Sequence, residues 1–126
     1  MKARIEIKLG TLTLQAELNQ SKVARKILEV LPIKSRVSTW GEEIYFPIPV
    51  KTEISFPVTE VRKGDLGYWP EGTCLCIFFG PTPVSPGEKI IPASAVEIIG
   101  RLLLEDWEGL KKVKDGEAVI IEKLAE

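Results

Sequence analysis

Ala3-Arg4-Ile5-Glu6-Ile7-Lys8-Leu9-Gly10-Thr11-Leu12-Thr13-Leu14-Gln15-Ala16-Glu17-Leu18 contains two runs of alternation about a glycine. Ala3, Ile5, Ile7 and Leu9 share one face of an extended segment, and Arg4, Glu6 and Lys8 share the other. After Gly10, Leu12, Leu14, Ala16 and Leu18 alternate against Thr11, Thr13, Gln15 and Glu17. The pattern predicts a β-hairpin. From Ser21 the period lengthens: Val23, Ile27, Leu28 and Leu31 fall at helical spacing, with Ser21 as N-cap and Pro32 as the stop. Lys22, Arg25, Lys26 and Glu29 form the solvated face of that helix.

Beyond the helix the chain is rich in β-formers and punctuated by Pro47, Pro49, Pro57, Pro70, Pro81, Pro83, Pro86 and Pro92, so its strands should be short and joined by rigid turns. Strands are expected near 35–40, 43–46, 52–56, 66–69 and 74–79. Val96, Ile98, Leu102 and Leu104 mark a longer strand broken by Gly100. A short helix from Asp106 to Val113 and a turn at Lys114-Asp115-Gly116 then lead to a last strand with Val119 and Ile121 on one face. A strand-strand-helix opening followed by many short strands predicts a mostly β fold. The expected form is a closed barrel of about eight strands, with one amphipathic helix near the N-terminus and a short helix near the C-terminus. No repeat or linker divides residues 1–126, so a single domain is expected.

Composition narrows the function classes. The 17 basic and 18 acidic side chains nearly cancel and are interspersed, which argues against a nucleic acid partner. The start Met1-Lys2-Ala3-Arg4 runs directly into the first strand pattern, and no apolar run reaches signal or membrane length, so a cytoplasmic protein with no membrane partner is expected. One asparagine, two glutamines and abundant Lys, Arg and Glu suit a thermophilic source. Cys74 and Cys76 lie on one face of a strand, where a disulfide is geometrically poor. With no histidine in the chain and no second cysteine pair, they read as small core side chains rather than metal ligands. No metal or other cofactor is expected.

Two stretches stand out as candidate chemistry. Leu66-Gly67-Tyr68-Trp69 and Cys74-Leu75-Cys76-Ile77-Phe78-Phe79 are apolar on both faces. In a one-layer wall only the inner face is core, so the outer face needs a loop, a partner or a ligand to cover it. Thr39-Trp40-Gly41-Glu42-Glu43-Ile44-Tyr45-Phe46 gathers three aromatics and two carboxylates around a glycine turn. Alternation sends Trp40 and the pair Glu42/Glu43 to different sides, and adjacent carboxylates point apart on a strand, unlike the opposed pair of a hydrolase. Trp40 and Trp69 are expected to flank one groove. Pro70 biases Trp69 toward extended angles, Gly72 offers a positive φ for the return, and the Trp69 N–H stays available to a partner. The competing expectation is that the aromatics simply fill the barrel. Arg36 and Arg62 read as surface or ion-pair residues, and Asp65 as the residue that holds its own turn.

Trp40-Gly41-Glu42-Glu43-Ile44-Tyr45-Phe46, Gly64-Asp65-Leu66-Gly67-Tyr68-Trp69-Pro70-x-Gly72, Phe78-Phe79-Gly80-Pro81-Thr82-Pro83 and Pro92-Ala93-Ser94-x-Val96 span nearly the whole chain. Together they resemble the signature of the prokaryotic cyclophilin-like proteins, a resemblance that implies a cyclophilin-type eight-stranded barrel closed at its ends by helices. That family is similar in fold to the peptidyl-prolyl isomerases, whose groove carries an arginine, a glutamine, aromatic residues and a histidine. This chain has no histidine. Ser35-Arg36-Val37-Ser38-Thr39-Trp40 is the counterpart of the arginine's strand, and Phe78-Phe79 is similar to the isomerases' Phe-Phe pair.

The leading expectation is a binding module whose aromatic groove holds a small molecule or an extended, proline-containing peptide. The groove would be built from Trp40, Glu42, Glu43, Tyr45, Tyr68, Trp69, Phe78 and Phe79. The alternatives are a peptidyl-prolyl isomerase with a non-standard site that uses Arg36 or another donor, and a hydrolase or lyase pairing Glu42 or Glu43 with Asp65. The sequence assigns no catalytic residue, ligand identity or oligomeric state.

Overall fold

In the computed structural model, which describes residues 3–103 and 106–124, the opening alternation becomes an antiparallel hairpin. Strand β1 (Ala3–Leu9) pairs with β2 (Leu12–Leu18) from Ala3↔Leu18 to Leu9↔Leu12, across a turn that needs Gly10 at φ 58°. Ile5, Ile7, Leu9, Leu14, Ala16 and Leu18 all point into the core. Helix α1 (Lys22–Val30) follows, its first turn capped by Ser21 Oγ, which accepts from the Ala24 N–H at 3.2 Å. It buries Val23, Ala24 and Ile27 and ends before Pro32, where a helical N–H would be missing.

The remaining strands of the described residues are β3 (Ile33–Arg36), β4 (Ser38–Thr39), β5 (Glu43–Pro47), β6 (Asp65–Trp69), β7 (Cys74–Phe78), β8 (Glu97–Leu102) and β9 (Ala118–Lys123). They form one antiparallel sheet in the order β3-β9-β1-β2-β8-β6-β7-β5-β4. The two ends of that order are neighbours in sequence. β3 pairs with β9, β4 pairs with β5, and only Val37 separates them, so one run of chain draws the sheet edges together into a nearly closed barrel. Ser35 Oγ donates to the Pro47 carbonyl at 2.8 Å across the seam.

The strand expected at 35–40 therefore starts at Ile33 and divides into β3 and β4, and the described residues form nine strands rather than about eight. Its division has a local cause. The Val37 N–H donates to Glu117 O (2.9 Å) and the Val37 carbonyl accepts from the Gly116 N–H (2.8 Å), a turn outside the ladder, while its side chain is buried.

The strand expected at 52–56 does not form. Between Pro49 and Pro57 the backbone donors go to side chains instead of a neighbouring strand: Ser55 and Phe56 donate to Glu97 Oε1 at 2.6 and 3.4 Å. The Tyr68 hydroxyl donates to Val50 O (2.7 Å) and accepts from the Thr52 N–H (3.3 Å). Glu97 and Tyr68 are register partners on β8 and β6, so one pair of side chains pins the whole segment.

β8 is not broken at Gly100. The strand runs through it, with a bulge that leaves Ile99 unpaired between Leu66↔Gly100 and Gly67↔Ile98. Leu104, the expected end of that strand, lies outside the described residues. The second helix, α2 (Trp107–Lys111), is shorter than the expected 106–113 and is capped by Asp106, which accepts from the Gly109 N–H at 3.0 Å. Val119 and Ile121 of β9 are both fully buried.

Every residue of β7 is buried, and its two faces serve different clusters. Leu75 and Ile77 join the barrel core with Ile5, Leu18, Ile44, Phe46 and Leu66. Cys76 and Phe78 face outward into a second cluster with Val61, Ile90 and Val96. The outer face is thus covered largely by the chain's own connections, which are tied down at Val58↔Val96 and Val61↔Ile90.

Asp65 holds its turn as expected. Its Oδ2 accepts from the Arg62 N–H at 2.8 Å, and Arg101 approaches Oδ1 at 3.6 Å. Asp65→Ala should lower unfolding stability by about 1 kcal/mol. Urea denaturation checks this, and loss of ligand binding with stability unchanged would move Asp65 from scaffold to site.

Candidate functional site

The cover on the outer face is incomplete, and it leaves a cavity of ≈ 200 Å³ above β5 and β6. One side of it is made by the β4–β5 turn. The Trp40 N–H donates to Glu43 O at 2.9 Å and the Glu43 N–H to Trp40 O at 3.2 Å, so Gly41-Glu42 is a two-residue hairpin loop. Gly41 takes φ 60° there, and a Cβ on it would lie 2.8 Å from Pro83 Cδ. Trp40 and Glu43 are thereby opposed across the hairpin and line the same cavity, correcting the expectation that alternation would separate them. A bonded pair across a tight turn shares a face, which counting along one strand misses.

Tyr45, two residues on, adds the next side chain of that face. Its ring meets Trp69 edge-on, with centroids 6.2 Å apart and planes at 83°. Trp69 ends β6 and is held from two directions. Its Nε1–H donates to Ser94 Oγ at 2.6 Å, so the indole donor expected to be free is already used. Gly72 lies against the ring, where a Cβ would come within 2.4 Å of Cε3 and Cζ3. The positive φ of this turn falls on Thr73 (53°) instead of Gly72, whose lack of a side chain serves the close approach of the indole. Pro92, Ala93 and Val96 complete the lining.

Glu43 supplies the polar feature of this apolar space. Its side chain is buried, 5% exposed, and Oε1 has no hydrogen-bond partner. Burial pushes the carboxyl up to about 7, opposed by a hydrogen bond from the Cys76 thiol. The same burial raises the Cys76 thiol well above its ordinary value, and the Glu43 charge adds to the shift. Cys74 is raised for the same two reasons. Both cysteines are free and buried, and held as thiols at neutral pH they are weak nucleophiles.

Of the residues the sequence singles out, the structure brings Trp40, Glu43, Tyr45 and Trp69 together. Glu42 points away, beside Gly80 and 4.0 Å from Lys111 Nζ. Tyr68 is wholly buried in the barrel, where its hydroxyl anchors Val50. Phe78 is enclosed in the outer cluster and Phe79 in the barrel core. Asp65 is committed to Arg62 and Arg101 and is not part of the lining, so no carboxylate pair forms around Glu43. Arg36 donates to Gly116 O at 2.8 Å and is likewise absent from the lining. Among the described residues no group of three or more Cys, Asp or Glu side chains is placed to hold a metal ion. No helix among them is long and apolar enough to cross a membrane.

Sequence reading missed Pro92, Ala93, Val96 and the Ser94 that fixes Trp69. The signal that could have found them is the compact Pro92-Ala93-Ser94-x-Val96 motif, whose partners lie far away in the chain.

A cyclophilin-like family model matches residues 3–122. The solution structure of a hypothetical protein from Archaeoglobus fulgidus is similar over 98% of this chain and 95% of that one, with a TM-score of 0.82 and 38% sequence identity. Among curated proteins, none matches.

Proposed function

The chain belongs to the cyclophilin-like family, and from that premise we propose that it is a binding module whose ligand occupies the cavity between Trp40, Tyr45 and Trp69. The observation that carries this reading is the buried Glu43 side chain, which lines an otherwise apolar recess and whose Oε1 has no protein partner. An unpaired buried polar atom is costly, and a preformed apolar recess with one polar group at its wall is the ordinary form of a ligand site. At ≈ 200 Å³ the space falls below the roughly 300–1,000 Å³ of pockets for drug-sized molecules. That size favours a small molecule over an extended peptide.

The isomerase reading needs a donor over the amide nitrogen of a bound proline. The cavity lining offers no arginine, and of its two indole donors the Trp69 N–H is taken by Ser94. A coupled assay on a proline-containing peptide is therefore expected to show no acceleration, and a measurable rate would reinstate catalysis.

Acrylamide quenching of single-tryptophan variants tests the site itself. Trp40 and Trp69 are both part-buried and should be quenched in the free protein. If both are as protected as a fully buried ring, the aromatics belong to the core and the binding reading fails.

A further inference from the structure

No lysine or arginine lines the cavity beside Glu43. Tyr45 stands on the same strand, Cys74 and Cys76 lie on the paired strand β7, and both thiols are shifted toward their protonated form. Residues 90–96, which supply the far wall, read Ile-Ile-Pro-Ala-Ser-Ala-Val and contain no ionisable side chain. Among the described residues no lysine or arginine forms an ion pair with Glu43. A buried carboxyl of this kind is ordinarily paired or neutralised by its own proton, and a countercharge that would keep it ionised has to come from outside the chain. The walls select the same sign, because the faces of tryptophan and tyrosine rings attract cations and two tryptophans and a tyrosine surround the space.

We infer that the cavity takes a small organic cation of the alkylammonium class, its N–H donating to the Glu43 carboxylate and its alkyl body lying against Trp40, Tyr45 and Trp69. The inference rests on the cavity being a ligand site and adds the chemistry of the ligand. A neutral donor would hydrogen-bond the carboxylate but would leave its charge uncompensated. Water would do the same and would leave the apolar walls wet. A charge-assisted hydrogen bond together with the alkyl body satisfies both needs with one molecule.

The test is a titration of the ¹⁵N-labelled protein with n-butylammonium and, separately, with 1-butanol, followed through the indole N–H signals of Trp40 and Trp69. Trp107 on α2 lies outside the cavity lining and serves as the internal reference. Butylammonium should bind about tenfold or more tightly than 1-butanol at pH 8, and Glu43→Gln should abolish that preference. In the unaltered protein, butylammonium affinity should rise about tenfold from pH 6 to pH 8 as the carboxyl near 7 ionises, with no such rise for 1-butanol. The pH arm keeps the test valid if the variant does not fold. Binding of both probes with equal affinity and no pH dependence overturns the cation assignment while leaving the binding module intact. No movement of either indole with either probe overturns both.

Discussion

Glu43→Gln is expected to make the protein more stable at pH 8 by on the order of 2 kcal/mol, and to remove most of the pH dependence of stability between pH 4.5 and 7. The direction follows from the carboxyl's two states. Folded, it is raised to about 7 by burial; unfolded, it titrates near 4.5. Between those values the native state holds a proton that the unfolded chain has released, so stability falls as pH rises and reaches its lower plateau above 7. The full shift would correspond to about 3 kcal/mol, reduced here because the cavity opens to solvent. Glutamine keeps the shape and carries no charge. Urea denaturation of both proteins at pH 5, 7 and 8.5 reads the difference. Parallel stability curves would mean that Glu43 is solvated like a surface carboxylate. The Cys74 and Cys76 thiols at the site are shifted upward, away from this range.

Gly100→Ala should cost about 3 kcal/mol, more than the usual toll of a glycine replaced in a strand, because the new methyl group meets main chain instead of a side chain able to move. A Cβ built at Gly100 would lie 2.3 Å from the Glu17 carbonyl oxygen and 3.1 Å from Leu18 Cα. Gly100 is paired with Leu18 on β2 and with Leu66 on β6, beside the bulge at Ile99. Relief therefore requires β2 and β8 to separate at the short register that joins them, Ala16↔Leu102 to Leu18↔Gly100. Thermal or urea unfolding measures the loss. A change under about 1 kcal/mol would show that the two strands part easily at that point.

The elements that the sequence determined by itself are those whose signal is local. The alternation of residues 3–18 specifies a hairpin, because successive side chains of a strand take opposite faces. Ser21 and Pro32 bound the helix, because one supplies an acceptor for its first turn and the other lacks the N–H to continue it. The two-sided apolar character of β7 was legible for the same reason, as was the need for a cover on its outer face.

What covers that face was decided by contacts distant in sequence. Residues 52–56 have the composition of a strand, yet Glu97 takes their backbone donors from more than 40 positions away. The division at Val37 depends on a turn near Gly116. Trp40, Glu43 and Tyr45 could be suspected as a group from the sequence. That Glu43 is buried without a partner, and that Trp69 and residues 92–96 meet it, depends on the pairing of β5 with β7 and β7 with β6 and on Ser94 reaching Trp69. Periodicity encodes which face of an element is apolar. It carries no information about which other element meets that face, because register and closure are set by long-range pairing, and the cavity exists only where those pairings leave the outer cover unfilled.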